Sequence, residues 1–109
     1  MNSITLVGNL TADPDLTYTS TTGKAVAKMT VACDRSRMQD SKTDYILCES
    51  WETLAETVNA DFRKGHFVKV TGVLHIDAYE KDGVKRTIAK VIAKKVERVE
   101  RSADDEGAA

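Results

Sequence analysis

Asp44-Tyr45-Ile46-Leu47-Cys48-Glu49-Ser50-Trp51 runs almost directly into Thr53-Leu54-Ala55-Glu56 and on to Arg63-Lys64-Gly65. Successive side chains of a strand point to opposite faces, so the first stretch divides cleanly. Tyr45, Leu47, Glu49 and Trp51 share one face, and Ile46, Cys48 and Ser50 share the other. In the second stretch Leu54, Val58 and Phe62 recur every fourth residue as one apolar stripe. Thr53 and Glu56 have the spacing of a capping box, and Gly65 follows two basic residues as a stop. The pattern predicts a helix over 53–63, about three turns long. An aromatic, partly polar strand face that turns abruptly into a short helix is the feature around which the flanking segments are read.

Upstream, residues 3–10 are β-rich and interrupted by Gly8, which suggests a bulge or a bend at a barrel corner. Asp13-Pro14-Asp15 ends that strand, with 16–18 as a short extension. The polar stretch 19–24, closed by Gly23 and Lys24, reads as a hairpin loop. In the strand 25–33 that follows, Ala25, Ala27, Met29, Val31 and Cys33 make an apolar face. Residues 34–43 are polar throughout and read as a flexible loop of the kind that often carries function. Downstream of the helix, 66–79 is a long strand with Gly72 placed for bending. Asp82-Gly83 marks a tight hairpin turn, and 87–99 is the β-branched return.

A chain of 109 residues, 41% hydrophobic and 30% charged, suits one small domain over 1–101. Residues 102–109 read as a short disordered acidic tail. No apolar run reaches the roughly 20 residues needed to span a bilayer, and the start of the chain has no signal-like pattern, so no membrane partner and a cytoplasmic location are expected. Cys33 and Cys48 read as buried free thiols rather than a disulfide. Sixteen basic against seventeen acidic residues leave a net charge of -1, which offers no global electrostatic case for a nucleic-acid partner. The distribution is uneven: residues 81–101 hold eight Lys or Arg against three acids. Two histidines and two cysteines without close paired spacing, and no Gly-rich phosphate loop, argue against a metal site, a cofactor or an enzyme.

The order strand, strand, strand, helix, strand, strand, with glycines at the bends, suits an all-β fold. It predicts a five-stranded OB-fold, a Greek-key barrel with one short helix between strands 3 and 4. Residues 2–10, Asp13-Pro14, 23–27, 51–56 and Arg63-Lys64-Gly65 together resemble the bacterial single-stranded DNA-binding protein family, over roughly 1–99. The resemblance implies an OB-fold that assembles as a homotetramer, binds single-stranded DNA without sequence preference, and serves DNA replication, recombination and repair at the nucleoid.

Such binding requires rings on which bases stack and cations that follow the phosphates. The family's stacking positions fall on Tyr45, Trp51 and Tyr79, with Arg37 near a further aromatic position in the loop after the second strand. Read without the resemblance, Trp51 is equally a core residue, whereas Tyr79, beside a turn and among acids, favours exposure. Tyr18 and Phe67 are assigned to packing. Arg86 matches a family cation. Positions often basic in the family are Ser3, Thr17, Thr53, His75 and Asp77 here, so Lys69, Lys81, Lys85, Lys24 and Lys28 are the remaining phosphate candidates.

The family's long linker with its acidic, hydrophobic-tipped end recruits replication and repair proteins. The sequence here closes on Asp104-Asp105-Glu106-Gly107-Ala108-Ala109, acidic but without that tip, as a truncated chain or a short member would be. Recruitment of those proteins is therefore left open. The uncharged first strand, as a pairing edge, favours the homotetramer. The rival reading is a dimeric OB-fold accessory module of primosome type, in which protein contacts come first and DNA binding is secondary.

Overall fold

A Cβ on Gly8 would stand 2.2 Å from the Ala32 carbonyl oxygen, so two backbones cross here at a separation that only glycine permits. This crossing is the seam of a barrel. The computed structural model describes residues 1–35 and 42–100. In it the strands are β1 (Ile4–Leu10), β2 (Asp15–Tyr18), β3 (Ala25–Asp34), β4 (Thr43–Trp51), β5 (Phe67–Lys81) and β6 (Val84–Arg98), with the helix α1 (Glu52–Asp61) between β4 and β5. The sheet order is β1-β5-β6-β4-β3-β2, and β1 also pairs with β3 through Asn9 and Leu10. Five strands thus close a ring. The predicted extension at 16–18 is the separate strand β2, a sixth strand joined to β3 through a hairpin in which Gly23 has φ +69°. This is the OB-fold expected from the order of elements.

The core follows from the period-2 faces. Ala25, Ala27, Met29 and Val31 of β3, Cys48 of β4, Val68 and Val70 of β5, and Val91 and Ala93 of β6 point inward and form one cluster with Leu6 and Leu10 of β1. Ala55, Val58 and Phe62 complete it from the helix. Cys33 is only half-buried, at the margin of this cluster, and both thiols are free. At Gly72 a Cβ would meet the Ile92 carbonyl oxygen at 2.1 Å, beside a register shift between Thr71 and Gly72 that bends the β5–β6 pair. Beyond this bend the two strands leave the barrel as an exposed arm, closed by Asp82 (φ 53°) and Gly83 (φ 78°) in a two-residue turn.

The capping box is not formed. The N-cap is Trp51, still extended at φ -127° and ψ 149°, and no side chain caps the helix. With no loop between β4 and α1, Glu52 turns the corner at φ 58° and Thr53 already lies inside the first turn. The helix also ends earlier than expected, at Asp61. Arg63 donates from Nη1 to the carbonyls of Asn59 and Phe62, which supplies partners for the C-terminal carbonyls. Gly65, at φ +88°, is a joint rather than a helix stop: its N–H donates to Leu10 O at 2.9 Å, while Lys64 N–H donates to Asp13 Oδ1 at 2.8 Å. Those bonds tie the end of α1 to the end of β1.

Candidate nucleic-acid interface

Cross-strand partners share a face, so the registers assemble the outer surface of β3, β4 and the arm residue by residue. On β4, Tyr45 and Trp51 are 70% and 38% exposed, about 20 Å apart along the strand. Their partners on β3 are Ala32 and Val26, with Thr30 opposite Leu47 and Lys28 opposite Glu49 between them. Val26 is buried, yet it stands outside the core cluster, next to Trp51 on the outer face. Trp51 is therefore a surface residue backed by apolar contact, not a core residue.

The parallel pairing of Glu49 with Ile92 carries this face across to β6. From there the antiparallel pairs His75 and Lys90, Asp77 and Ile88, Tyr79 and Arg86, and Lys81 and Val84 extend it to the tip of the arm. Tyr79 is 46% exposed, directly across from Arg86. Tyr45, Trp51, Tyr79, Arg86, Lys81 and Lys28 thus lie on one continuous surface, and Lys24 is exposed in the hairpin loop at its border. Exposed Ile88 and Val84 add apolar area to the same face that residue-type reasoning passed over.

Two of the proposed cations are not brought to this surface. Lys85 pairs with Glu80 and projects from the opposite side of the arm. Lys69 lies between Val7 of β1 and Glu97 of β6, at the far end of β5. Arg37 falls outside the described residues, as does the tail at 102–109. Tyr18 is not packed as expected: it ends the short strand β2 and is 60% exposed. Phe67 is half-buried.

The centre of the face holds a charge cluster that no single-residue signal announced. Lys90 Nζ lies 3.0 Å from Asp77 Oδ2 and 3.4 Å from both Glu49 carboxylate oxygens. Asp77 first, and then Glu49, raise the lysine above its ordinary value against the opposing effect of burial. At the other end of β4, Arg35 forms a bidentate pair with Asp44, Nε to Oδ2 at 2.9 Å and Nη2 to Oδ1 at 2.7 Å. These contacts hold the carboxyl below its ordinary value. Among the described residues no group of three His, Cys, Asp or Glu side chains is disposed to hold a metal ion, and no helix is long and apolar enough to cross a membrane.

The architecture and the sequence both have counterparts among known proteins. The solved structure of a deletion mutant of the single-stranded DNA binding protein from Thermus aquaticus superimposes with a TM-score of 0.74 at 31% identity. The match covers 94% of this chain and 42% of that one. Single-stranded DNA-binding protein B of Bacillus subtilis is 41% identical over 96 residues, covering 84% of each chain. Single-stranded DNA-binding protein 3 of Clostridium acetobutylicum is 35% identical over 103 residues, 92% of this chain and 72% of that protein. The sequence pattern of the single-strand binding protein family spans residues 1–99, from the first strand of the barrel to the end of the arm's return, and the chain belongs to that family.

Proposed function

We propose that the protein binds single-stranded DNA without sequence preference and protects it during replication, recombination and repair. The observation that carries this reading is the placement of Tyr45, Trp51 and Tyr79, all exposed, on one outer face with Arg86 beside the third ring. Every base has a π-face, so rings spaced along a strand accept any sequence, and cations at their margins follow the phosphates. Arg86, Lys81, Lys28 and Lys24 form that cationic margin; Lys85 and Lys69 lie off it. The chain acts as a binding protein rather than an enzyme, at the single strands exposed in the nucleoid.

The working assembly is a homotetramer. The edge of β1 at Ile4 to Gly8 has β5 on one side and, among the described residues, no strand on the other. An uncharged free edge of this kind pairs readily with a second copy. Titration with oligo(dT) tests the DNA reading directly, because stacking quenches the single tryptophan, Trp51. A titration without quenching or retained DNA removes the reading, and light scattering that finds a stable dimer without DNA affinity supports the accessory-module rival.

A further inference from the structure

Lys90 sits where the arm leaves the barrel, between the β4 rings and the Tyr79–Arg86 pair. Its two acidic partners are not equivalent. The Glu49 side chain is 7% exposed, whereas that of Asp77 is 52% exposed. A buried carboxylate that loses the ammonium against it is left charged and poorly solvated. Glu49 is already under-served, since Oε1 accepts no hydrogen bond although Lys90 Nζ lies 3.4 Å away, off the bonding line. Glu49 therefore keeps Lys90 where it is. The Asp77 contact is half in water, where an ion pair is screened and easily exchanged.

The cluster of one lysine and two carboxylates carries a formal charge of -1 in the middle of a surface otherwise suited to a polyanion. A phosphate diester offers Lys90 what Asp77 offers it, an anionic oxygen acceptor on the solvent side. Released from the ammonium, the Asp77 carboxylate returns to water at little cost because it is already half exposed.

We propose that Asp77 is an internal stand-in for a DNA phosphate: a strand crossing this face displaces Asp77 from Lys90, while Glu49 holds the ammonium in position to receive the phosphate. The inference rests on the single-strand reading above. Asp77 then acts as a brake on affinity, and Lys90 is a phosphate contact hidden in the free protein. Arg86 and Lys81 are the other cations on this face of the arm, Lys85 lying on its opposite side, and His75 faces Lys90 across the strands.

Oligo(dT) titrations over a salt series test this with wild type, Asp77→Asn, the Glu49→Gln/Lys90→Gln pair, and all three changes together. Wild-type binding checks the functional reading on its own; its absence would defeat that reading before the inference is reached. Given wild-type binding, Asp77→Asn should tighten it at low salt and steepen the slope of log affinity against log salt by up to about 0.7, the value of one single-strand phosphate contact. In the background lacking Glu49 and Lys90 charges the same change should leave the slope where it was. Equal steepening in both backgrounds would reduce Asp77 to a general repulsive charge, and no steepening in either would also overturn the proposal. The Lys90 ammonium resonance in wild-type protein provides a second reading that needs no substitution. It should shift on addition of oligo(dT), and a resonance that stays fixed at saturation would mean that Asp77 is never displaced.

Discussion

Tyr79 and Arg86 stand directly opposite each other across the β5–β6 arm, on the face that carries Tyr45 and Trp51, while Lys85, one residue away, faces the other side beside Glu80. The two-residue turn at Asp82-Gly83 enforces this, because it pairs Lys81 with Val84 and fixes the alternation from there.

Adjacent cations should therefore differ sharply in their effect. Arg86→Ala should weaken oligo(dT) binding and lower the salt slope by about 0.7, the value of one phosphate contact on a single strand. Lys85→Ala should change neither. Fluorescence titrations from low to high salt measure both quantities, and equal losses for the two variants would place the strand on both sides of the arm.

Removing a stacking ring should cost affinity without costing the fold. Alanine at Trp51 or Tyr45 should weaken binding by roughly one to two decades, since stacking contributes about 1–3 kcal/mol per base. Neither ring belongs to the core cluster, so urea unfolding midpoints should move little. Tyrosine fluorescence or a labelled oligonucleotide follows the Trp51→Ala variant. Retained affinity in a folded variant would move the binding path off β4.

Glycine substitutions separate close approach from turn conformation. Gly8→Ala drives a methyl group into the Ala32 carbonyl at the barrel seam and should destabilise by about 3 kcal/mol or more, in the range of overpacked sites. Gly83→Ala meets nothing within 4 Å and carries only the strain of φ +78°, which should cost about 1 kcal/mol. Urea denaturation of the two variants gives the comparison.

The thiols should respond differently to pH. Burial, and then the nearby Cys33, push Cys48 from 9.0 up to about 12. Burial and then the Asp44 carboxylate raise Cys33 as well. A raised thiol keeps its proton in the folded chain while the unfolded chain releases it. The stabilising contribution of Cys48 is therefore fully present below pH 9 and is lost as pH rises from there toward 12. Cys48→Ala should flatten the decline in urea midpoint above pH 9. At pH 8 a thiol-specific chromogenic reagent should reach the half-buried Cys33 well before Cys48.

The sequence alone determined what depends on neighbours along the chain. Period-2 alternation placed Tyr45 and Trp51 on one face of β4 and Ile46, Cys48 and Ser50 on the other. Asp82-Gly83 specified the hairpin, whereas the opposite facing of Lys85 and Arg86, both read as phosphate contacts, came with the register of the arm. Gly72 marked the bend of β5, whereas Gly8 proved to be a close backbone crossing, where an approach that excludes a Cβ leaves no other residue.

Tertiary structure decided what depends on distant pairing. Glu49 has the alternation of an exposed residue, yet it is buried, because the parallel register with β6 brings Ile92 alongside it and Lys90 against its carboxylate. The Thr53 capping box has correct local spacing, but it fails because β4 enters α1 without a loop and leaves the cap position to Trp51. Asp77, Lys90 and Glu49 are 41 residues apart at their widest, and no local pattern joins them. Local chemistry sets which way a side chain points from its own strand. Which strand lies beside it, and so whether that side meets water, a ring or a charge, is set only when the barrel closes.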